Sequence, residues 1–228
     1  MEELVSGISQ RRAARLLRVN RKTIVRKFLF MAKYAHLYLT HFNAQMKKAT
    51  TMIFDDLESF EHTKCKPLSI TLAVEHSTRR ILGFRVAQMP AKGLLAALAQ
   101  AKYGPRNDER EAKRRDLFSE LKNYVTDTAD IKSDQNPHYT STVREYFPKS
   151  KHQTYKGRRG CVVGQGELKR GGYDPLFSLN HTCAMMRANI NRLFRRTWCT
   201  TKKAERLSDH IALYALYHNL ILINSPSK

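Results

Sequence analysis

The stretch Thr51-Met52-Ile53-Phe54-Asp55-Asp56-Leu57-Glu58-Ser59-Phe60 reads as a β-strand with two adjacent carboxylates inside it. A carboxylate in a central strand is costly to bury unless it is paired or holds a metal. The pattern around this strand sets the fold class. Strands follow at 68–75 and 80–88, separated by the turn-prone Lys64-Cys65-Lys66-Pro67 and by residues 76–78. An Ala/Leu-rich helix is predicted over 93–103. The charged stretch 106–121 reads as a helix with a solvated face, residues 110–115 included. A short strand at 129–133 leads into Asp134, and a helix starts after Pro137 and reaches 147. Glycines between 157 and 172 read as a mobile, basic loop.

The last third reads as helical. Cys183, Met186, Ile190, Leu193 and Thr197 are spaced 3-4-3-4, which predicts one buried stripe along a helix over 182–198. A second helix is predicted over 203–222 from Leu207, Ile211, Tyr214, Tyr217/His218 and Ile221. Hairpin strands first and a helix-linked strand next is an α/β order, the wiring of an RNase H-like sheet. The expected architecture is a mixed sheet flanked by helices over residues 49–228. A short helix-turn-helix segment, truncated at its front, is expected over residues 1–48.

The charge narrows the function. Forty-one Lys+Arg against 20 Asp+Glu leave +21, which disfavours a metabolite-only protein and favours a polyanion partner. A nucleic-acid backbone fits best, because each neutralised phosphate releases a condensed counterion. No run reaches the roughly 20 apolar residues that span a bilayer. The acidic start Met1-Glu2-Glu3 is no signal peptide. Cys65, Cys161, Cys183 and Cys199 are scattered without a Cys-x-x-Cys pair, so neither a zinc ribbon nor a disulfide framework is expected. The expected location is cytoplasmic, without membrane attachment.

Residues 8–31 have the grammar of two short basic helices around a turn. Ser9 can cap the first helix and Asn20 the second. Ala13 and Ala14 allow close approach, and Arg18-Val19-Asn20 makes the turn. Ile24, Val25 and Phe28 supply an inner face. Arg21, Lys22, Thr23 and Arg26 then lie outward near the start of the second helix, where a recognition helix meets bases and phosphates. The alternative is a basic helix pair that only packs on the body. A leading helix normally closes such a module, and only residues 1–7 precede this pair.

Asp55 in the first strand and Asp134 at the end of the fourth are candidate metal ligands. Two carboxylates brought side by side repel, and a divalent cation relieves the repulsion. Mg²⁺ (or Mn²⁺) needs only one or two carboxylates beside water and phosphate oxygens, and two such ions can drive in-line displacement at a phosphodiester. A solvated Asp at a strand end is the plainer reading.

Three segments carry a resemblance. Phe54-Asp55-Asp56-Leu57-Glu58-Ser59-Phe60 is similar to the Asp-Glu-x-x-Ser-Phe strand of small bacterial insertion-sequence transposases. Ser133-Asp134-Gln135-Asn136-Pro137-His138-Tyr139 resembles their Thr-Asp-Gly-x-x-x-Tyr segment. Residues 179–202, from Leu179-Asn180-His181 through Arg187 to Arg195-Arg196 and Lys202, resemble their closing basic helix. The resemblance implies an RNase H-like catalytic core and a bacterial, nucleoid-associated setting. It also implies divalent metal, double-stranded DNA as element ends and target, a homo-oligomer on DNA, and cleavage and strand transfer. Carried over by position, the catalytic and metal-binding set is Asp55, Asp134 and Asn180, where most relatives have Glu. Arg187, Arg195 and Lys202 join the DNA-binding set. Glu167 in the glycine-rich loop is the nearest upstream carboxylate that could substitute for Asn180, and it ranks below Asn180.

If the closing helix extends back to Asn180, then Asn180, Arg187, Asn191 and Arg195 share one stripe. The alternative role for Asn180 is a helix cap. His138 and Tyr139 are weaker candidates for touching substrate. Lys202-Lys203 with Arg195-Arg196 and Trp198 form a basic-aromatic patch, or a helix end with Trp198 in the core. Residues 149–170 carry cations that can clamp DNA. The alternatives to a transposase are a catalytically inactive DNA-binding remnant and a metal-dependent nuclease without strand transfer.

Overall fold

The computed structural model describes residues 1–156, 174–194 and 199–224. A 3₁₀ turn (Glu2–Val5) is followed by α1 (Gln10–Leu16), α2 (Arg21–Gln45), β1 (Ala49–Phe60), β2 (Pro67–Glu75) and β3 (Ile81–Gln88). Next come α3 (Leu95–Tyr103), α4 (Arg110–Leu121), β4 (Val125–Asp134), α5 (Pro137–Tyr146) and β5 (Lys151–Tyr155). The chain closes with α6 (Phe177–Asn189), a 3₁₀ turn (Asn191–Leu193), α7 (Ala204–Tyr217) and a π-turn (His218–Leu222).

The strands form one sheet in the order β3-β2-β1-β4-β5. β1, β2 and β3 pair antiparallel, while β4 pairs parallel with both β1 and β5. The result is an α/β structure with a mixed sheet flanked by helices, compatible with an RNase H-like core. The sequence reading lacked β5. Lys151-His152-Gln153-Thr154-Tyr155 is polar throughout and none of it is fully buried, so this edge strand carries no apolar alternation to find.

Each sheet face has its own core. On β2, Leu68, Ile70, Leu72 and Val74 point to one side, where Ile53 and Leu57 of β1 join them. Phe28, Ala35 and Leu39 of α2 and Ile211 and Tyr214 of α7 cover that side. On the other side Met52, Phe54, Ala73 and Leu82 meet Leu117, Phe118 and Leu121 of α4 and Tyr139 and Val143 of α5. Full burial of each large apolar side chain contributes roughly 1.5–3 kcal/mol. Gly83 lets α4 sit close to the sheet, because a Cβ there would stand 2.8 Å from a Leu117 methyl.

The front helices are capped as the sequence predicts. Ser9 Oγ accepts from the Arg12 N–H at 3.2 Å, and Asn20 Oδ1 accepts from the Lys22 N–H at 2.8 Å. The second helix does not stop near 31. Ala32, Ala35, Leu39 and Asn43 continue the buried stripe begun by Ile24 and Phe28, so α2 runs 25 residues. Asn43 then ties its end to the sheet by donating to the Ile81 and Leu82 carbonyls at 3.1 Å each. Among the described residues no α-helix precedes the pair. Instead Leu4 and Val5 are buried, and His210 Nε2 on α7 donates to the Leu4 carbonyl at 2.6 Å.

The helix predicted over 182–198 ends at Asn189, and Ile190 is extended. Its last carbonyl, on Asn189, accepts from the Gly7 N–H at 2.7 Å instead of continuing the helical ladder. Gly7 has φ 75°, and a Cβ there would stand 3.2 Å from the Ala188 carbonyl, so the crossing requires glycine. The predicted stripe through Asn180, Arg187, Asn191 and Arg195 is therefore broken before Asn191. The expected loop over 157–172, with Glu167, lies outside the described residues. So do Arg195, Arg196, Thr197 and Trp198.

Candidate functional site

β1 and β4 bring the two predicted aspartates together. Their parallel register pairs Ile53 with Lys132, and the same register two residues on sets Asp55 beside Asp134. The Asp55 carboxyl is pushed up to about 7. Burial is the first cause and the negative charge of Asp134 the second. Two donors offset part of this: the Asp56 N–H at 2.7 Å and the Tyr139 hydroxyl at 3.0 Å, both to Asp55 Oδ1. Asp134 is oriented in turn by the Asn136 N–H, which donates to its Oδ1 at 3.0 Å. Asn136 also caps α5 by accepting from the His138 N–H at 3.1 Å.

Tyr139 is the organising residue that the sequence ranked low. It is fully buried on the first turn of α5. Burial raises its hydroxyl far above the usual phenol range, and the charges of Asp56, Asp55 and Asp134 raise it further. It therefore stays a hydrogen-bond donor at any working pH. Its ring packs 4.8 Å from Phe54, and the Arg114 guanidinium lies 5.3 Å from the ring centre. Arg114 is fixed by donating from Nε to Thr142 Oγ1 at 3.1 Å and from Nη2 to the His138 carbonyl at 3.2 Å. The predicted solvated face over 110–115 is thus wrong at Arg114, which is 4% exposed. Arg114 shares a helix face with Leu117, Phe118 and Leu121, a spacing that could have placed it inward.

Asp56 turns to β2, where Thr71 Oγ1 donates to its Oδ1 at 2.5 Å. Behind β1 lies Cys183 of α6. Burial pushes its thiol up to about 12; Arg187 lowers it and Asp55 adds to the rise, which places Cys183 within electrostatic reach of both. Cys65, Cys183 and Cys199 are free thiols.

Asn180 sits in the first turns of α6, where its own N–H bonds the Leu176 carbonyl at 3.0 Å. It is inside the helix and does not cap it. Among the described residues no side chain caps α6; Asp174 Oδ1 accepts from the Leu176 N–H at 2.9 Å in the turn just before the helix. The Asn180 side chain is exposed and donates from Nδ2 to Asp174 Oδ2 at 2.8 Å. A cation would take its carbonyl oxygen, not the Nδ2 that Asp174 engages.

Among the described residues, no group of three or more His, Cys, Asp or Glu is placed to hold a metal. Asp55 and Asp134 are a pair. Their mutual repulsion at a half-buried position is what one divalent cation relieves, and two carboxylates suffice for Mg²⁺ when water and phosphate fill its remaining positions. The donor set fits one ion.

The predicted DNA-contacting residues fall in separate places. Arg21, Lys22 and Arg26 are exposed and Thr23 half-exposed at the start of α2. Arg187 is half-buried on α6. Lys202 is exposed, with Nζ 2.9 Å from His62 Nδ1 beyond the end of β1. No helix is long and apolar enough to cross a membrane among the described residues. No protein-family model matches the chain, and no curated protein matches it.

Proposed function

We propose that this protein is a divalent-cation-dependent DNA transposase with an RNase H-like core, acting on the ends of an insertion element. The observation that carries the proposal is the convergence of Asp55 and Asp134 on adjoining parallel strands, with the Asp55 carboxyl raised partly by Asp134. Asp55 and Asp134 would hold Mg²⁺ or Mn²⁺, with Asn180 the third ligand. A bound ion of this kind supplies Lewis-acid polarisation and activates water at a phosphodiester. The chain's own part is orientation. Tyr139 fixes Asp55, the Asn136 N–H fixes Asp134, and Phe54 with Arg114 fixes Tyr139. Residues 10–45 serve as a helix-turn-helix, with Arg21, Lys22, Thr23 and Arg26 against the DNA. Arg187 and Lys202 contact the strand nearer the aspartates. Two element ends joined in one reaction call for at least two copies on DNA. A bacterial cytoplasm, at the nucleoid, is the setting that suits such a substrate.

A second reading has its own support. Two carboxylates and an amide engaged with Asp174 make a sparse set, which suits a DNA-binding relative that no longer cleaves. One assay separates the two. Labelled element-end DNA is incubated with Mg²⁺ or Mn²⁺ and scored for nicking and joining. Products that vanish in Asp55→Ala and Asp134→Ala support the transposase, and nicking without joining identifies a nuclease. Salt-sensitive binding without any product leaves the silent DNA-binding protein.

A further inference from the structure

The outward face of α2 beyond its first turn has no role in the aspartate site. At 100° per residue, Lys27, Phe30, Tyr34, Leu37, Tyr38 and His41 form one stripe about 21 Å long. It lies opposite the buried stripe of Phe28, Ala32, Ala35 and Leu39. Phe30, Tyr34, Leu37 and Tyr38 are 59%, 57%, 65% and 50% exposed, an unusual density of large apolar groups on one solvent face. The rings already touch: Phe30 and Tyr34 have centroids 4.7 Å apart, and Lys27 Nζ stands 5.9 Å from the Phe30 centre. Arg26 and Lys33 border the stripe.

Charge selects the occupant. The 25 residues of α2 contain no Asp or Glu, against Arg21, Lys22, Arg26, Lys27 and Lys33. Among the described residues, the acidic side chains of other elements recorded against α2 meet its flank, not this stripe: Asp209 is 3.7 Å from His36, and Glu120 accepts from Thr40 at 3.4 Å. A second copy of the same face would set like charges against like. A duplex would leave three rings and a leucine against sugar and phosphate. Unpaired nucleotides satisfy both components, with bases on the rings and phosphates on the cations.

We infer that this face of α2 binds single-stranded nucleic acid, through Phe30, Tyr34 and Tyr38 with Lys27, Arg26 and Lys33. The inference rests on the nucleic-acid reading of the chain and is independent of cleavage. The test uses the full chain, a labelled oligothymidylate of about 16 nucleotides and a duplex of equal length, followed by fluorescence anisotropy. The paired substitution Phe30→Ser and Tyr34→Ser is expected to weaken oligothymidylate binding about tenfold or more. Duplex binding should stay unchanged, and Phe30→Tyr with Tyr34→Phe should restore the single-strand affinity. Unchanged single-strand affinity, or an equal loss on duplex, overturns the inference while leaving the DNA reading standing. A wild-type dimer that the paired substitution dissolves assigns the face to self-association, and binding of anionic vesicles that the substitution removes assigns it to a lipid surface; either overturns it. Failure of the unaltered chain to bind any DNA removes the underlying reading as well.

Discussion

Tyr139 and Asp55 are 84 positions apart in the chain, yet the tyrosine hydroxyl donates to Asp55 Oδ1 at 3.0 Å from inside the core. Tyr139→Phe keeps the ring between Phe54 and Arg114 and removes only the donor. A hydrogen bond to a charged group is worth about 1.5–3 kcal/mol. The Asp55 carboxyl should then rise further, and Mg²⁺ affinity at pH 7 should fall about tenfold. Calorimetric titration checks this. Raising the pH should recover much of the loss, and the circular dichroism spectrum should not change.

Asp55 also makes stability depend on pH. Its carboxyl sits at about 7 in the fold and at about 3.9 in an unfolded chain. The folded state therefore holds the proton longer, and the contribution of this residue to stability falls as pH rises from about 4 to about 7. Above that window the cost is complete. With divalent ions chelated, Asp55→Asn should exceed the wild type in stability at pH 8 by about 1–4 kcal/mol. The difference should vanish near pH 4. Urea unfolding at the two pH values measures it.

His210 acts in the opposite sense. Burial lowers its imidazole to about 4 in the fold, against about 6.5 unfolded. Its contribution is present above about 6.5 and is lost as pH falls toward 4, because the unfolded chain takes up the proton first. The loss should amount to about 2–3 kcal/mol. His210→Gln can still donate to the Leu4 carbonyl and does not titrate, so its unfolding midpoint should decline less over that range.

The start of α2 offers a salt-dependence test. Arg21→Ala, Lys22→Ala and Arg26→Ala should each weaken duplex binding and lower the slope of log affinity against log salt by about 0.9 per lost phosphate contact. Thr23→Ala should leave the slope unchanged. A slope insensitive to all three cations would mean that the start of α2 does not meet duplex phosphates.

The aspartate pair was legible because strands are short and local, and because a carboxylate among Ile53, Phe54 and Leu57 stands out against its surroundings. What escaped was set by distant partners. α2 looked short because residues 29–45 mix Lys, Tyr and His with its apolar side, and only packing on α7 and β3 shows which side counts. Arg114 looked like one more surface cation until Tyr139 arrived beneath it. The closing helix looked continuous because its apolar spacing continues past residue 189, but the Gly7 N–H takes the Asn189 carbonyl.

The bond from His210 to the Leu4 carbonyl ties together two turns 206 positions apart in the chain. While translation is under way, Phe28, Ala35 and Leu39 have no α7 to cover them. That side of α2 stays open until α7 has been synthesised. A chain still lacking α7 therefore presents an open apolar face, the kind of surface on which nascent chains aggregate.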